Sequence, residues 1–211
     1  MTPTKRVVNS GTDSMLSYDV LTEFRNAAVF NIFKKSPVED TAHRLYVTIV
    51  TQARRPIFYN DFAVPDTTDG RFDMVVLHAY LLFHRMKRDQ ETTGDLSQAV
   101  FDLMFADMDQ NLREMGVGDI GVSHRIKGMI KAFYGRLDAY DRGLLDPSDG
   151  QLVKALRRNL YRKSEPEDLL VGCMAQYIRS EITGLAAQDT QQIQRGEITF
   201  GSPVLPPRIG K

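Results

Sequence analysis

Between Arg71 and Gln90 the chain is apolar on nearly every side of a helix. At 100° per residue Phe72, Val75, Val76, Ala79, Leu82, Phe83 and Met86 share one arc, while Met74, Leu77 and Leu81 point elsewhere. A helix of this kind is stable in water only at the centre of a domain, where neighbours cover it on several sides. The chain has no run of about 18 apolar residues, so this stretch does not read as a membrane span. Its cover has to come from the rest of the 211 residues, which suffice for one sizeable domain.

That cover reads as further helices. Ser36-Pro37-Val38-Glu39 is a helix start: Ser36 suits the N-cap, Pro37 the first helical position, and Glu39 completes a capping box. The helix runs to about Arg54, with Ala42, Leu45, Tyr46, Ile49 and Val50 along one stripe. Asp69 is placed to cap the central helix, and Gly94-Asp95 to separate it from a helix over Leu96 to Met115. Gly121 to Arg142 forms another. Asp146-Pro147 opens one that reaches Lys163, and Glu165-Pro166 opens the last long one, ending near Ala187. A shorter helix is expected from Tyr18 to Lys35. No alternating strand pattern of useful length precedes residue 197, where EITF allows one short extended piece. The expectation is an all-α, single bundle-like domain of about seven helices over 18–187. A flexible polar segment, 1–17, and a Gly/Pro-rich tail, 188–211, flank it.

Charge and cysteine usage narrow the function. The 27 Lys and Arg balance the 27 Asp and Glu, which argues against a dedicated nucleic-acid binder. The lone Cys173, in LLVGCMAQYI, excludes a disulfide framework or a multi-thiolate zinc site and reads as a buried, inert thiol. The N-terminus lacks the apolar core of a secretory signal and, with Asp13 and Asp19 early, makes a poor transit peptide. A bacterial cytoplasmic location is expected.

The stretch GVGDIG spaces Gly116, Gly118 and Gly121 as G-x-G-x-x-G. A dinucleotide site needs a buried β-strand directly before the first glycine. Here DLMFADMDQNLREM precedes it, with helical apolar spacing and five kinds of polar residue that a buried parallel strand excludes. Helix punctuation accounts for all three: Gly116 caps one helix, Gly118 turns the chain, and Gly121 opens the next.

Other features carry two readings each. The loop RRPIFYNDFAVPDTTDG is aromatic, and Phe58, Tyr59 and Phe62 must bury themselves somewhere. Asp107 projects into the apolar arc of its helix and requires a partner, for which His84, Arg71 and Arg125 are candidates. A structural ion pair competes there with a catalytic acid or metal ligand. Asp102 and Asp109 share a face, and Arg113 can pair with Asp109. His43, His78, His84 and His124 fall in no H-E-x-x-H or E-x-x-H spacing. Gly128, Ala132, Gly135 and Ala139 form a furrow of small residues, read either as tight packing within the domain or as a groove for a partner's helix. RRNLYRK clusters Arg157, Arg158, Arg162 and Lys163, either a solvated helix end or a dock for an anionic surface.

The combination VPDT…GRFDM…LH, then DMD…LREMGVGD, then RIK.M..AFYGR resembles the ubiquinol–cytochrome c chaperone family over roughly residues 40–143. The joint spacing is far more specific than any one piece. The resemblance implies an all-helical, non-catalytic assembly factor of the ubiquinol–cytochrome c oxidoreductase (respiratory complex III), with no cofactor and no specific nucleic-acid ligand. It implies as partners newly made cytochrome b or another complex III subunit, a small helical partner protein, and a place near the ribosome or membrane surface. The location would be the cytoplasm or the inner-membrane periphery, or the mitochondrial matrix in a eukaryote. The family pattern has Gly-Lys where this chain has Ser123 and His124. No catalytic residue carries over.

The expected client surface joins the aromatic loop, the central helix and the furrow: Phe58, Tyr59, Phe62, Arg71, His78, Asp107, Arg113, Arg125, Lys127, Gly128 and Gly135. The competing class is a helical enzyme, or a metal- or quinone-binding protein, built on Asp107 and His84. A general RNA-binding module is a third, weakened by the neutral charge.

Overall fold

The computed structural model describes residues 36–205. The proposed Tyr18–Lys35 helix, the 1–17 segment and the last six residues lie outside that range. Six long and two single-turn helices form among the described residues: α1 (Pro37–Ala53), α2 (Pro56–Asn60), α3 (Thr68–Lys87), α4 (Gln90–Glu114), α5 (Asp119–Leu144), α6 (Gly150–Asn159), α7 (Asp168–Ala186) and α8 (Thr190–Gln194). No strand forms among them.

The all-sided apolar stretch is the interior helix. In α3, Met74, Val76, Leu77, Ala79, Leu81 and Leu82 are all fully buried. Helices α1, α4 and α7 pack directly on it, and α5 and α6 close the assembly by packing on α4, on each other and on α7. Burial of each large aliphatic side chain contributes about 1.5–3 kcal/mol, so this one helix supplies much of the drive to fold.

The α1 cap forms as its sequence dictates. The Glu39 amide donates to the Ser36 hydroxyl at 3.2 Å, and the Ser36 amide donates to the Glu39 carboxylate at 3.0 Å. The α4–α5 hairpin resolves the glycine question. Gly116 sits at φ +81, and the Gly116 and Val117 amides donate to the carbonyls of Arg113 and Leu112. This double bond pattern ends α4 in a Schellman motif. Gly118 is then the N-cap of α5. A helix, not a strand, precedes the glycines; Gly116 and Gly118 punctuate helices, whereas Gly121 lies inside α5 and does not open it.

Four boundaries differ from expectation. Thr67, not Asp69, caps α3: its hydroxyl accepts from the Gly70 amide at 3.1 Å. Gly94 and Asp95 lie inside α4, since a mid-helix glycine costs only about 1 kcal/mol and packing outweighs it. The break falls instead at Arg88-Asp89, where the Asp89 carboxylate accepts from Arg85 and Thr190. Helix α6 is shorter than expected, because Asp146 folds residues 146–151 into a turn, accepting from the amides of Ser148 and Gln151. Finally, residues 188–205 are not a free tail. Ile193 is fully buried, Ile198 nearly so, and Phe200 packs on the core. The Gly201 amide donates to Glu181 and its carbonyl accepts from Gln52 Nε2 at 2.8 Å. These backbone contacts carry no hydrophobic period, which is why sequence pattern does not reveal them.

Candidate functional site

The quoted motifs divide into a buried set and an exposed set. The buried set meets at a junction between α3 and α5. Asp73, of GRFDM, and Arg136, of AFYGR, are 63 residues apart and join at 2.7 Å between Oδ1 and Nη2. Arg162 Nε donates to the other carboxylate oxygen at 3.1 Å. Arg136 also lies over the Phe72 ring, 5.8 Å from its centroid. Burial pushes the Asp73 carboxyl up, and the two guanidinium groups oppose that push. Gly70 belongs to the same construction. A Cβ there would stand 2.0 Å from the Pro65 carbonyl oxygen, so VPDT can fold back on α3 only over a glycine.

A second buried set lies at the other face of α3. His78 Nδ1 faces the Met74 carbonyl at 2.9 Å, so this nitrogen carries the proton. Nε2 then accepts from the Tyr177 hydroxyl at 2.9 Å, and that hydroxyl accepts from Gln52. Burial lowers the imidazole pKa to about 4, so His78 is neutral. Phe58 and Phe200 pack against its ring.

These placements correct the expected client surface. Phe58, Phe62 and His78 are fully buried and present nothing to a partner. The aromatic loop folds inward because α2 turns Phe58 toward His78 and Tyr177. Tyr59 is half-buried, its hydroxyl on the Ala53 carbonyl, and Arg71 is exposed beside Asp66 at 2.6 Å. Asp107 pairs with none of His84, Arg71 or Arg125; it accepts from the Tyr46 hydroxyl at 2.8 Å, tying α4 to α1. His84 faces Asp141 at 3.0 Å, where Tyr80 also donates at 2.9 Å, tying α3 to α5. Asp107 and His84 therefore serve separate helix pairs and share no site. Arg113 clasps both Asp109 and Asp119 across the hairpin. The RRNLYRK cluster is partly neutralised by the chain's own acids: Arg157 pairs with Asp168, and Arg162 and Lys163 with Asp69, while Arg158 forms no ion pair with a described residue.

The exposed set is one face of α5. Arg125, Lys127, Gly128, Ala132 and Gly135 are all exposed, as are Ser123 and His124. A Cβ placed on Gly128 or Gly135 would meet nothing within 4 Å. From Gly128 to Gly135 the furrow is therefore open, while Ala139 at its end packs on the core. Asp119, Ile120, Ser123, His124 and Lys127 line a shallow depression beside it. No group of three or more His, Cys, Asp or Glu side chains among the described residues could hold a metal ion.

Sequence reasoning missed the Asp73–Arg136–Arg162 junction. The available signal was an acid, Asp73, inside a helix with no solvent face. Such a residue demands a buried cation.

The family model for the ubiquinol–cytochrome c chaperone matches residues 60–200. The chain belongs to that family. Among its relatives is the ubiquinol–cytochrome c reductase complex assembly factor 1 of Xenopus laevis, 24% identical over 169 residues, which cover 80% of this chain and 84% of that protein. Another is the mitochondrial protein CBP3 of Saccharomyces cerevisiae, 29% identical over 150 residues, which cover 69% of this chain and 44% of that protein. The crystal structure of the Cbp3 homolog from Brucella abortus superposes with a TM-score of 0.71 at 33% identity, covering 87% of this chain and 97% of that one. Part of the quoted motifs builds the fold, as the junction at Asp73 does; the α4–α5 turn and the outer face of α5 are among the parts left outside. Among the described residues no helix is long and apolar enough to cross a membrane.

Proposed function

We propose that this chain is a non-catalytic assembly factor for the ubiquinol–cytochrome c reductase complex, and that it holds a transmembrane helix of newly made cytochrome b on the α5 furrow. The reductase reading rests on family membership and on relatives named for that task. One observation carries the furrow: Gly128 and Gly135 stand in the middle of an exposed helix where nothing in the fold requires glycine. Each costs the helix about 0.5–1 kcal/mol relative to alanine. Small residues let a second helix approach to backbone distance, the packing mode of membrane helices. Arg125, Lys127 and the half-exposed Arg113 flank the approach. A small helical partner protein can complete the cover, and the working location is the inner-membrane periphery, on its cytoplasmic or matrix side.

Replacing the gene by Gly135→Leu tests this. The variant protein is expected to accumulate normally, lose co-purifying cytochrome b, and lower the assembled reductase with its haem-b absorbance. Normal assembly and retained co-purification in the Leu variant would remove the furrow from the mechanism.

A further inference from the structure

Most arginines of the described fold are spent on the chain's own carboxylates: Arg71, Arg85, Arg113, Arg136, Arg142, Arg157, Arg162 and Arg179 all form ion pairs. Arg44, Arg54, Arg55, Arg125 and Arg158 form none with a described residue, and at Arg125, near the start of α5, the unpaired charge has company. From Ile120 to Leu137 there is no carboxylate, yet the segment carries His124, Arg125, Lys127 and Lys131, all exposed. None of the four forms an ion pair with another described residue. Of the carboxylates at the hairpin end, Asp109 and Asp119 are engaged by Arg113 and Glu114 accepts from the Gln110 side-chain amide, while Asp119 also lines the depression that holds Ile120, His124 and Lys127.

The same end of the hairpin displays apolar side chains. Ile120 is 90% exposed and Met115 59%, on either side of the Schellman turn. Leaving two large apolar groups in water at the end of a rigid hairpin is unfavourable, and the fold offers them no cover. Exposed apolar side chains beside unpaired cations are the chemistry of a bilayer interface. The apolar groups enter the headgroup–acyl boundary, and Lys and Arg reach the phosphates. A single-stranded RNA would call for exposed stacking aromatics, and residues 113–132 contain no aromatic ring other than that of His124.

We infer that the α4–α5 hairpin end is a membrane-docking surface: Met115 and Ile120 enter the interface of an anionic bilayer while His124, Arg125, Lys127 and Lys131 face its lipid phosphates. This goes beyond the assembly reading and does not depend on it. Docking here lays the open furrow, which continues along α5, beside the membrane from which a client helix would come.

The purified full chain is floated with vesicles of pure phosphatidylcholine and of equimolar phosphatidylcholine and phosphatidylglycerol. Binding is expected to the anionic vesicles alone and to fall with added salt. Lys127→Ala/Lys131→Ala removes two cations and weakens binding about 25-fold, taking about fivefold for each. The chain has no tryptophan, so the emission of Ile120→Trp reports the hairpin end alone, and a blue shift is expected on anionic vesicles. Both changes are on exposed positions, and unchanged helical circular dichroism verifies the fold. The inference is overturned by absence of flotation, by equal flotation with neutral vesicles, by undiminished binding of the Lys variant, by an unshifted emission, or by binding of a single-stranded RNA oligonucleotide in place of vesicles. Vesicle binding needs no reductase subunit, so its failure leaves the assembly reading intact. Loss of reductase in a strain whose chaperone still floats bears on the furrow alone.

Discussion

Two regions of α5, one helix apart in orientation, obey opposite rules. On the inner face Arg136 is 8% exposed and committed to Asp73 and the Phe72 ring; Phe133 and Tyr140 are buried with it. On the outer face Arg125 and Lys127 have no acid, and Gly128 and Gly135 have no neighbour. The inner face is costly to change and tells the helix where to sit. The outer face is cheap to change for the fold and is available to other molecules. A motif such as RIK.M..AFYGR runs through both, so a family signature mixes instructions for folding with instructions for contact.

The sharpest break of this contrast is Asp73→Ala. It leaves Arg136 buried without its anion, and a loss of about 3–5 kcal/mol in urea denaturation is expected. A loss under about 1 kcal/mol would place the junction among the dispensable contacts. Next comes His78. Its folded pKa of about 4 is below the ordinary value near 6.5, so the unfolded chain binds the extra proton between those values. The stabilisation is complete above the ordinary value and is lost as the pH falls toward the folded one. Between about pH 7 and about pH 5 the difference is about 2 kcal/mol. Relative to wild type, His78→Phe is expected to flatten this slope while the Tyr177 hydroxyl keeps its bond from Gln52; an unchanged slope would show that the imidazole is not the titrating group. The smallest effect belongs to the outer face and has the opposite sign. Gly128→Ala and Gly135→Ala should each raise stability by about 0.5–1 kcal/mol, seen as a higher melting temperature. A drop in stability at either position would mean that the furrow is packed after all.

The fold class, the central place of α3, the capping box at Ser36 and the helix punctuation at Gly116 were legible because each is written in local periodicity or cap chemistry. What escaped depends on distance along the chain. Asp107 was correctly read as needing a partner, but the partner is Tyr46, 61 residues earlier, and no local rule chooses it over a histidine or an arginine. The aromatic loop was legible as needing burial, yet the direction in which α2 would turn Phe58 and Phe62 was not. RRNLYRK looks fully basic in the sequence and is partly neutralised in space, because Asp69 and Asp168 come to it from other turns. The exposed cations of α5 are ordinary in composition, and only the fold shows that nothing answers them.

The strap at Gly201 bears on how the gene can be divided. A boundary drawn from helix pattern alone would fall after Ala187. Cutting there removes the amide that faces Glu181, itself 4% exposed, and the carbonyl that faces Gln52. It also strips Phe200 from the His78 ring. An irregular stretch of peptide thus stitches α1 to α7 and belongs with the helices it joins.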